Sequence, residues 1–433
     1  MLFLNPAFGV GCWAFDVRRS SLTIQIASCH WCESQAEREL VITEEAALAH
    51  IIKSVKILSS RRVPLGQAHG RFAAGDIFAR VPLPNFDNSA MDGYAVVAGA
   101  CQVGEAQRIV GEQPAGLNCR LRVKPGEAIR IFTGAPIPEG ADAVIMQEDV
   151  RCEGDQIFIN VSVEAGESIR RRGSDLSEGQ KILSSGERIQ PPMLGLLASQ
   201  GFPEVEIGGE VRVGIITTGD ELIQPGRSLG EGELYESNSI LLRALAEQCG
   251  AKVESVVHCP DDAVSTEMAL RSSLHNDVLV IAGGVSVGAR DFVKPALANV
   301  GAQTDLWGVS VKPGKPFLFG SADGCAIFGL PGNPVSAFMT FLLFVRPAIL
   351  RMMGAGADQL SLPHSEARLA ERIQNKSDRP HYVRGRVTDG KFSPVGRQES
   401  HALYGLSRAN GLLRVPAGQD FPEGALVPVL SYD

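Results

Sequence analysis

Regular cysteine spacing is the first thing this sequence lacks. Nine cysteines, an odd count, argue against a disulfide scaffold and for a reducing compartment. An excess of basic residues is also missing, with 41 Lys and Arg against 49 Asp and Glu and a net charge of −8. That balance excludes general polyanion binding, so we expect no nucleic acid partner. An anionic substrate would then have to be met by local cations. No run of about 18 consecutive apolar residues occurs. The nearest, from Ala337 to Leu350, is broken by Arg346 and Pro347. We therefore expect no membrane partner and a cytoplasmic location. There is no internal repeat and no low-complexity segment.

What is present is a chain able to bury large cores. Of its 433 residues 44% are hydrophobic and 21% charged, and the length suggests about three domains at ~150 residues each. Residues 1–41 stand apart. They hold three of the nine cysteines and two of the three tryptophans, with no helical or strand period. Arg18 and Arg19 follow the apolar stretch, the reverse of a secretory signal. Cys29-His30-Trp31-Cys32 has the spacing of half a zinc site or of a redox pair, but no second CxxC or HxxxH follows. We read this segment as a disordered leader.

Order begins at Thr43, a helix N-cap followed by Glu44 and Glu45 and by apolar residues at helical spacing from Ala47 to Val55. Residues 42–208 form a first region. Within it, about 81–163 reads as short strands between Gly and Pro turns, and a helix over Ile189 to Gln200 makes that β-rich stretch an insertion. Residues 209–354 alternate strands with helices, which predicts a mostly parallel, helix-covered sheet. Its last helix runs from Pro334 to about Met353. Residues 355–433 return to short strands and form a small β domain. The fold class is multidomain α/β.

Ligands of open α/β sheets bind at the carboxyl ends of strands. Three loops leave such ends here: Thr217-Thr218-Gly219-Asp220-Glu221, Gly283-Gly284-Val285-Ser286-Val287-Gly288, and Leu330-Pro331-Gly332-Asn333-Pro334-Val335-Ser336. Glycine turns and helix N-termini present N–H groups to anions. Lys312 and Lys315, in a Pro- and Gly-restricted turn, add cations. Asp220, Glu221, Asp261, Asp262 and Asp291 are oxygen donors of the kind that Mg²⁺ prefers. Any one of these could instead be a cap, and Asp291 stands where it could cap the next helix. In the first half, the loops holding Asp92, Thr133 and Asp175 are dense in polar groups, and Arg170, Arg171 and Arg172 would offer forked donors if they lined a cleft.

Seven blocks identify a family. FDNSAMDGYAV, RIFTGAPIPEGADAVIMQE, IRRRGSDL, TTGDEL, GGVSVGARDFVKP, KPGKPFLFG and LPGNPVSAF resemble, in order, the signatures of the MoeA family of molybdopterin molybdenumtransferases. The E domains of gephyrin and its plant counterpart are similar. The resemblance covers residues 42–433. It implies a homodimer in which each chain has an N-terminal platform with an inserted β domain, a central three-layer MogA-like domain and a C-terminal β domain. The implied activity inserts molybdate into adenylylated molybdopterin with loss of AMP and a need for Mg²⁺. The implied active site lies between one chain's central domain and its partner's inserted domain.

Positions matching the family's functional residues are Asp92, Thr133, Asp175, Glu221, Asp261 and Asp291 as catalytic groups, the last three also as metal ligands. Gly283, Gly284, Ser286, Lys312, Lys315, Pro331, Pro334, Ser336, Arg379 and Ser400 match as molybdate and substrate contacts. A MogA-like adenylyltransferase and apo-molybdoenzymes are implied partners. Two features depart from the family. Gly308 follows Trp307 where some members have a lysine, and most members lack a leader of this kind. Three other readings stay open. An adenylyltransferase would be the size of the central domain, a CinA-type protein would lack the FDNSAMDGYAV block, and a gephyrin-like scaffold would carry a fused adenylyltransferase domain.

Overall fold

The computed structural model describes residues 42–285 and 291–432; the leader read at residues 1–41, with its Cys29 and Cys32, and Ser286 lie outside the described residues. Thr43 caps the first helix, Glu44–Ser54, its hydroxyl accepting from the Ala46 N–H at 3.2 Å. The helix packs on Arg346–Met352, and Ala47, Ile51 and Val55 join the largest hydrophobic core, most of which belongs to the central domain. The two residues before it, Ile42–Thr43, pair in parallel with Val309–Ser310.

The chain then leaves the core and returns in a nested way. Arg61–Pro64 pairs with Glu204–Ile207, Ile77–Phe78 with Lys181–Leu183, and Asn88–Ser89 with Ile169–Arg170. Between the innermost partners lies a six-stranded sheet, in spatial order Ala143–Met146, Gly93–Val96, Glu127–Ile131, Ala106–Gln113, Gln156–Ile159 and Val150–Glu153. Alternation of side chains along its strands sends Tyr94, Val96 and Ile145 to one apolar cluster, and Ala95, Ile129 and Val144 to another. Both faces are thereby covered.

The central sheet runs Lys252–Cys259, Arg212–Thr218, Val278–Ala282, Cys325–Leu330, Leu318–Ala322 and Gln303–Trp307. The first four strands are parallel and the last two antiparallel to their neighbours. Its two faces feed separate cores, with Ile215, Val280 and Phe328 in one and Ile216, Ile281 and Ile327 in the other. The chain steps outward from the first strand to Lys252–Cys259 and then crosses to Val278–Ala282 on the other side, which creates the switch point where a crevice opens. The last helix, Pro334–Met352, is long and apolar enough to cross a membrane, yet it lies mostly inside the core. A π-helical turn, Phe341–Val345, interrupts it.

Beyond it, His364–Leu369, Lys391–Pro394, His381–Thr388, Gly411–Val415 and Leu426–Ser431 close into a five-stranded barrel. One face of the strand His381–Thr388 fills the barrel through Val383, while Tyr382 on the opposite face joins the central core. Glu44 accepts hydrogen bonds from the Tyr382 hydroxyl and from Arg414 Nε (3.1 Å). The first helix is thus tied to the barrel by polar groups as well as by packing.

Candidate functional site

Two adjoining spaces open at the carboxyl ends of the parallel strands. The first, about 330 Å³, is walled by Thr218, Glu221, Asp261, Gly283, Gly284 and Asp291, together with the Pro331–Asn333 turn. The second, about 390 Å³, is walled by Lys312, Lys315, Ser336, Arg379 and the turn Gln398–Ser400. Pro316, Pro331 and Asn333 belong to both walls.

The first space is acidic and tightly built. Gly283 has φ +98°, and a Cβ there would stand 2.8 Å from both the carbonyl oxygen and the hydroxyl of Thr218. Only glycine lets the ends of these two strands approach so closely. The Asp261 N–H donates to Asp220 Oδ1 at 3.0 Å, and the Asp220 N–H faces Asp261 Oδ2 at 3.4 Å. Burial, and then the charges of Asp220 and Glu221, push the Asp261 carboxyl above the usual carboxylate range. Asp262 plays a different part: its carboxylate accepts from the Ser265 N–H at 2.8 Å and caps the helix Ala263–Ser273. Asp291 does not occupy the cap of the helix after it; Phe292 does, with no side-chain acceptor. Among the described residues no three His, Cys, Asp or Glu side chains form a ready metal cage.

The second space is cationic. Lys312 and Lys315 are both exposed, and the main chain of Lys312 is fixed from both sides. Its N–H donates to the Pro380 carbonyl at 2.9 Å and its own carbonyl accepts from the Tyr382 N–H at 2.8 Å. The turn carrying Arg379 is organised by buried Asn375, whose Nδ2 donates to the carbonyl of Arg379 at 2.8 Å and to that of Val415 at 3.0 Å. Ser400 ties the barrel to the helix start: its hydroxyl accepts from Asn333 Nδ2 at 3.0 Å, and its carbonyl accepts from the Val335 N–H at 3.2 Å. Pro334 sits in the first turn of that helix and belongs to neither wall.

Asp92, Thr133 and Asp175 line neither space. The loops that carry them converge with one another instead. The Thr133 N–H and hydroxyl both donate to Asp92 Oδ1 at 2.7 Å, which lowers the Asp92 pKa, with a smaller contribution from Arg130. The Arg171 side chain and the Arg172 N–H donate to Asp87, at 2.7 and 2.8 Å, so part of the arginine triplet is engaged in holding its own loop. Thr218 and Asn333 lie in strand-end loops already read from the sequence, whereas the Gln398–Glu399 pair was missed. Asn333 lay within a quoted block and was legible; the turn at 398–399 carries no local signal.

Fold and site together define a class: a multidomain α/β protein with an acidic crevice and a neighbouring cationic one, suited to a phosphate- and oxyanion-bearing substrate. Family models match nearly all of the described chain. They are the MoeA N-terminal region (domain I and II) over residues 42–201, the probable molybdopterin binding domain over 214–351, and the MoeA C-terminal region (domain IV) over 366–432. The chain belongs to the MoeA family.

A molybdopterin molybdenumtransferase of Haemophilus influenzae is 36% identical over 353 residues, 80% of this chain and 87% of that protein. Molybdopterin molybdenumtransferase 2 of Mycobacterium tuberculosis is 38% identical over 368 residues, covering 82% and 90%. A solved molybdopterin biosynthesis MoeA protein from Pyrococcus horikoshii superposes with a TM-score of 0.78 at 30% identity, over 90% of this chain and all of that one.

Proposed function

We propose that this chain is a transferase that inserts molybdate into adenylylated molybdopterin, releasing AMP and giving the molybdenum cofactor. The observation that carries the reading is the junction of the two spaces, where a carboxylate-lined crevice and a lysine-lined one share Pro316, Pro331 and Asn333 as walls. Molybdate is a tetrahedral dianion, suited to Lys312, Lys315 and Arg379 with Ser336 and Ser400 as neutral donors. The adenylate's phosphates suit the glycine turn at Gly283 and Gly284. Water cleaves the pyrophosphate bond that joins AMP to the molybdopterin phosphate and AMP leaves, while the dithiolene sulfurs bind molybdenum as molybdate gives up oxo oxygen as water.

Mg²⁺ fits the first crevice. Glu221, Asp261 and Asp291 are hard oxygen donors, and the Asp261 carboxyl, raised first by burial and then by the charges of Asp220 and Glu221, stands where a cation would favour its ionised form. With no ready cage among the described residues, oxygens of substrate and water would complete the shell. The ion would supply charge neutralisation at the phosphoryl oxygens.

We further propose a cytoplasmic homodimer, fed by a MogA-like adenylyltransferase and serving apo-molybdoenzymes. All six described cysteines are free thiols, which suits a reducing compartment. The test is direct: purified protein is given adenylylated molybdopterin, molybdate and Mg²⁺, and AMP is followed. Release that depends on molybdate is expected. Folded protein that releases none, or that instead makes adenylate from ATP and molybdopterin, overturns the reading.

A further inference from the structure

Arg384 is completely buried, the largest such side chain in the described structure. It lies on the strand His381–Thr388, on the face shared with Tyr382, between the barrel and the central core rather than inside the barrel. No carboxylate lies within ion-pair distance among the described residues, and its Nε and Nη1 are buried without a hydrogen-bond partner. A buried cation without a counter-charge is costly, because the water it loses is not replaced by an ion partner. Burial correspondingly lowers its pKa, countered in part by the more distant charge of Glu399.

The one nitrogen that is engaged points to the purpose. Arg384 Nη2 donates to the carbonyl of Arg397 at 2.5 Å and to that of Glu399 at 3.2 Å. Gln398 is locked to the same residue, its Oε1 accepting from the Arg384 N–H at 2.9 Å and its Nε2 donating to the Arg384 carbonyl at 3.0 Å. In a trans peptide the N–H points opposite to the preceding carbonyl. Drawing the carbonyls of Arg397 and Glu399 inward therefore turns the N–H groups of Gln398 and Ser400 outward. Those two residues, with exposed Glu399 between them, wall the cationic space, and neither N–H donates to another described residue.

We propose that Arg384 is a positioning residue for the oxyanion: it aims the Gln398 and Ser400 N–H groups into the cationic space and supplies a fixed positive charge behind them. The charge is matched when the dianion arrives. This rests on the assignment of that space to molybdate, so the experiment separates the two.

Molybdate binding is measured by calorimetry, and adenylylated molybdopterin binding by fluorescence, in wild type and in the Arg384→Met, Arg384→Lys and Lys312→Ala variants. Melting temperature is recorded for each. Arg384→Met is expected to weaken molybdate binding at least about tenfold and adenylate binding by less than about twofold. Arg384→Lys, which keeps the charge but not the planar fork, should fall between wild type and Arg384→Met for molybdate and, like it, leave adenylate binding within about twofold. If Arg384→Met folds with unchanged molybdate affinity, or loses both ligands equally, the proposal is wrong. Should the Met variant not fold, Arg384→Lys decides: an equal loss of both ligands in a folded Lys variant overturns it. Loss in Lys312→Ala with none in either Arg384 variant removes only the role of Arg384. No loss in any variant removes the molybdate assignment itself.

Discussion

At the scale of single residues, burial changes what a side chain can do, and His381 is the plainest case. It pairs in the backbone with Lys312, and its Nε2 is buried with no partner. Burial first, then the charges of Lys312 and Arg384, depress its pKa to about 4. Above about pH 6.5 the imidazole is neutral in both folded and unfolded chains and contributes nothing. Between about 6.5 and 4 only the unfolded chain takes the proton, so stability is lost as pH falls through that window. Asp261, raised above its usual range, works in the opposite sense near the lower end. Replacing His381 with Phe should therefore flatten the fall of melting temperature between pH 6.5 and 4 while leaving the rest of the profile in place. An unchanged slope would show that the imidazole is solvated. Neither His381 nor Arg384 was legible in the sequence. HYVRGRV reads as an alternating surface strand, and what buries its polar members is packing of the barrel on the central core, a long-range event with no local mark. Lys312 and Lys315 were legible because proline and glycine fix their turn beside each other.

At the scale of elements, local chemistry was read well where it is local. Thr43 caps its helix as expected, and the strand–helix alternation of the central domain gives a mostly parallel sheet. The strand-end loops wall the crevice because that is where such a sheet leaves backbone N–H groups unpaired. The nested strand pairs around the insertion were not legible, since Ile77–Phe78 and Lys181–Leu183 meet across about a hundred residues of intervening chain and two-residue strands carry no period. The acidic pair after the second strand divides in the same manner. Asp261 faces the crevice, whereas Asp262 caps a helix. Asp262→Ala should lower the denaturation midpoint by the modest amount expected of a lost cap and leave AMP release within about twofold. Asp261→Asn should do the reverse, sparing stability and losing AMP release. Activity lost in both variants would mean that the helix start itself belongs to the site.

At the scale of the whole molecule, the groups that the family resemblance assigns to one site fall into two sets. Asp92 and Thr133 hold each other beside the ends of two neighbouring interior strands of the inserted sheet, while Glu221, Asp261 and Asp291 wall the central crevice. No order of strands read from sequence could show that the first set lines neither space within its own chain. A two-fold homodimer resolves the separation if each chain's insertion completes its partner's crevice. Two variants, Asp92→Ala and Asp291→Ala, should then each be inactive as homodimers. Mixed and allowed to exchange subunits, they should form heterodimers in which one crevice carries both lesions and the other carries none. Random exchange makes half the dimers mixed, and each mixed dimer has one intact crevice of two. Activity should thus recover to about a quarter of wild type by symmetry alone. Native mass spectrometry would verify the exchange, and AMP release would report the recovery. Verified heterodimers that stay as inactive as the separate variants would show that each chain builds its site alone.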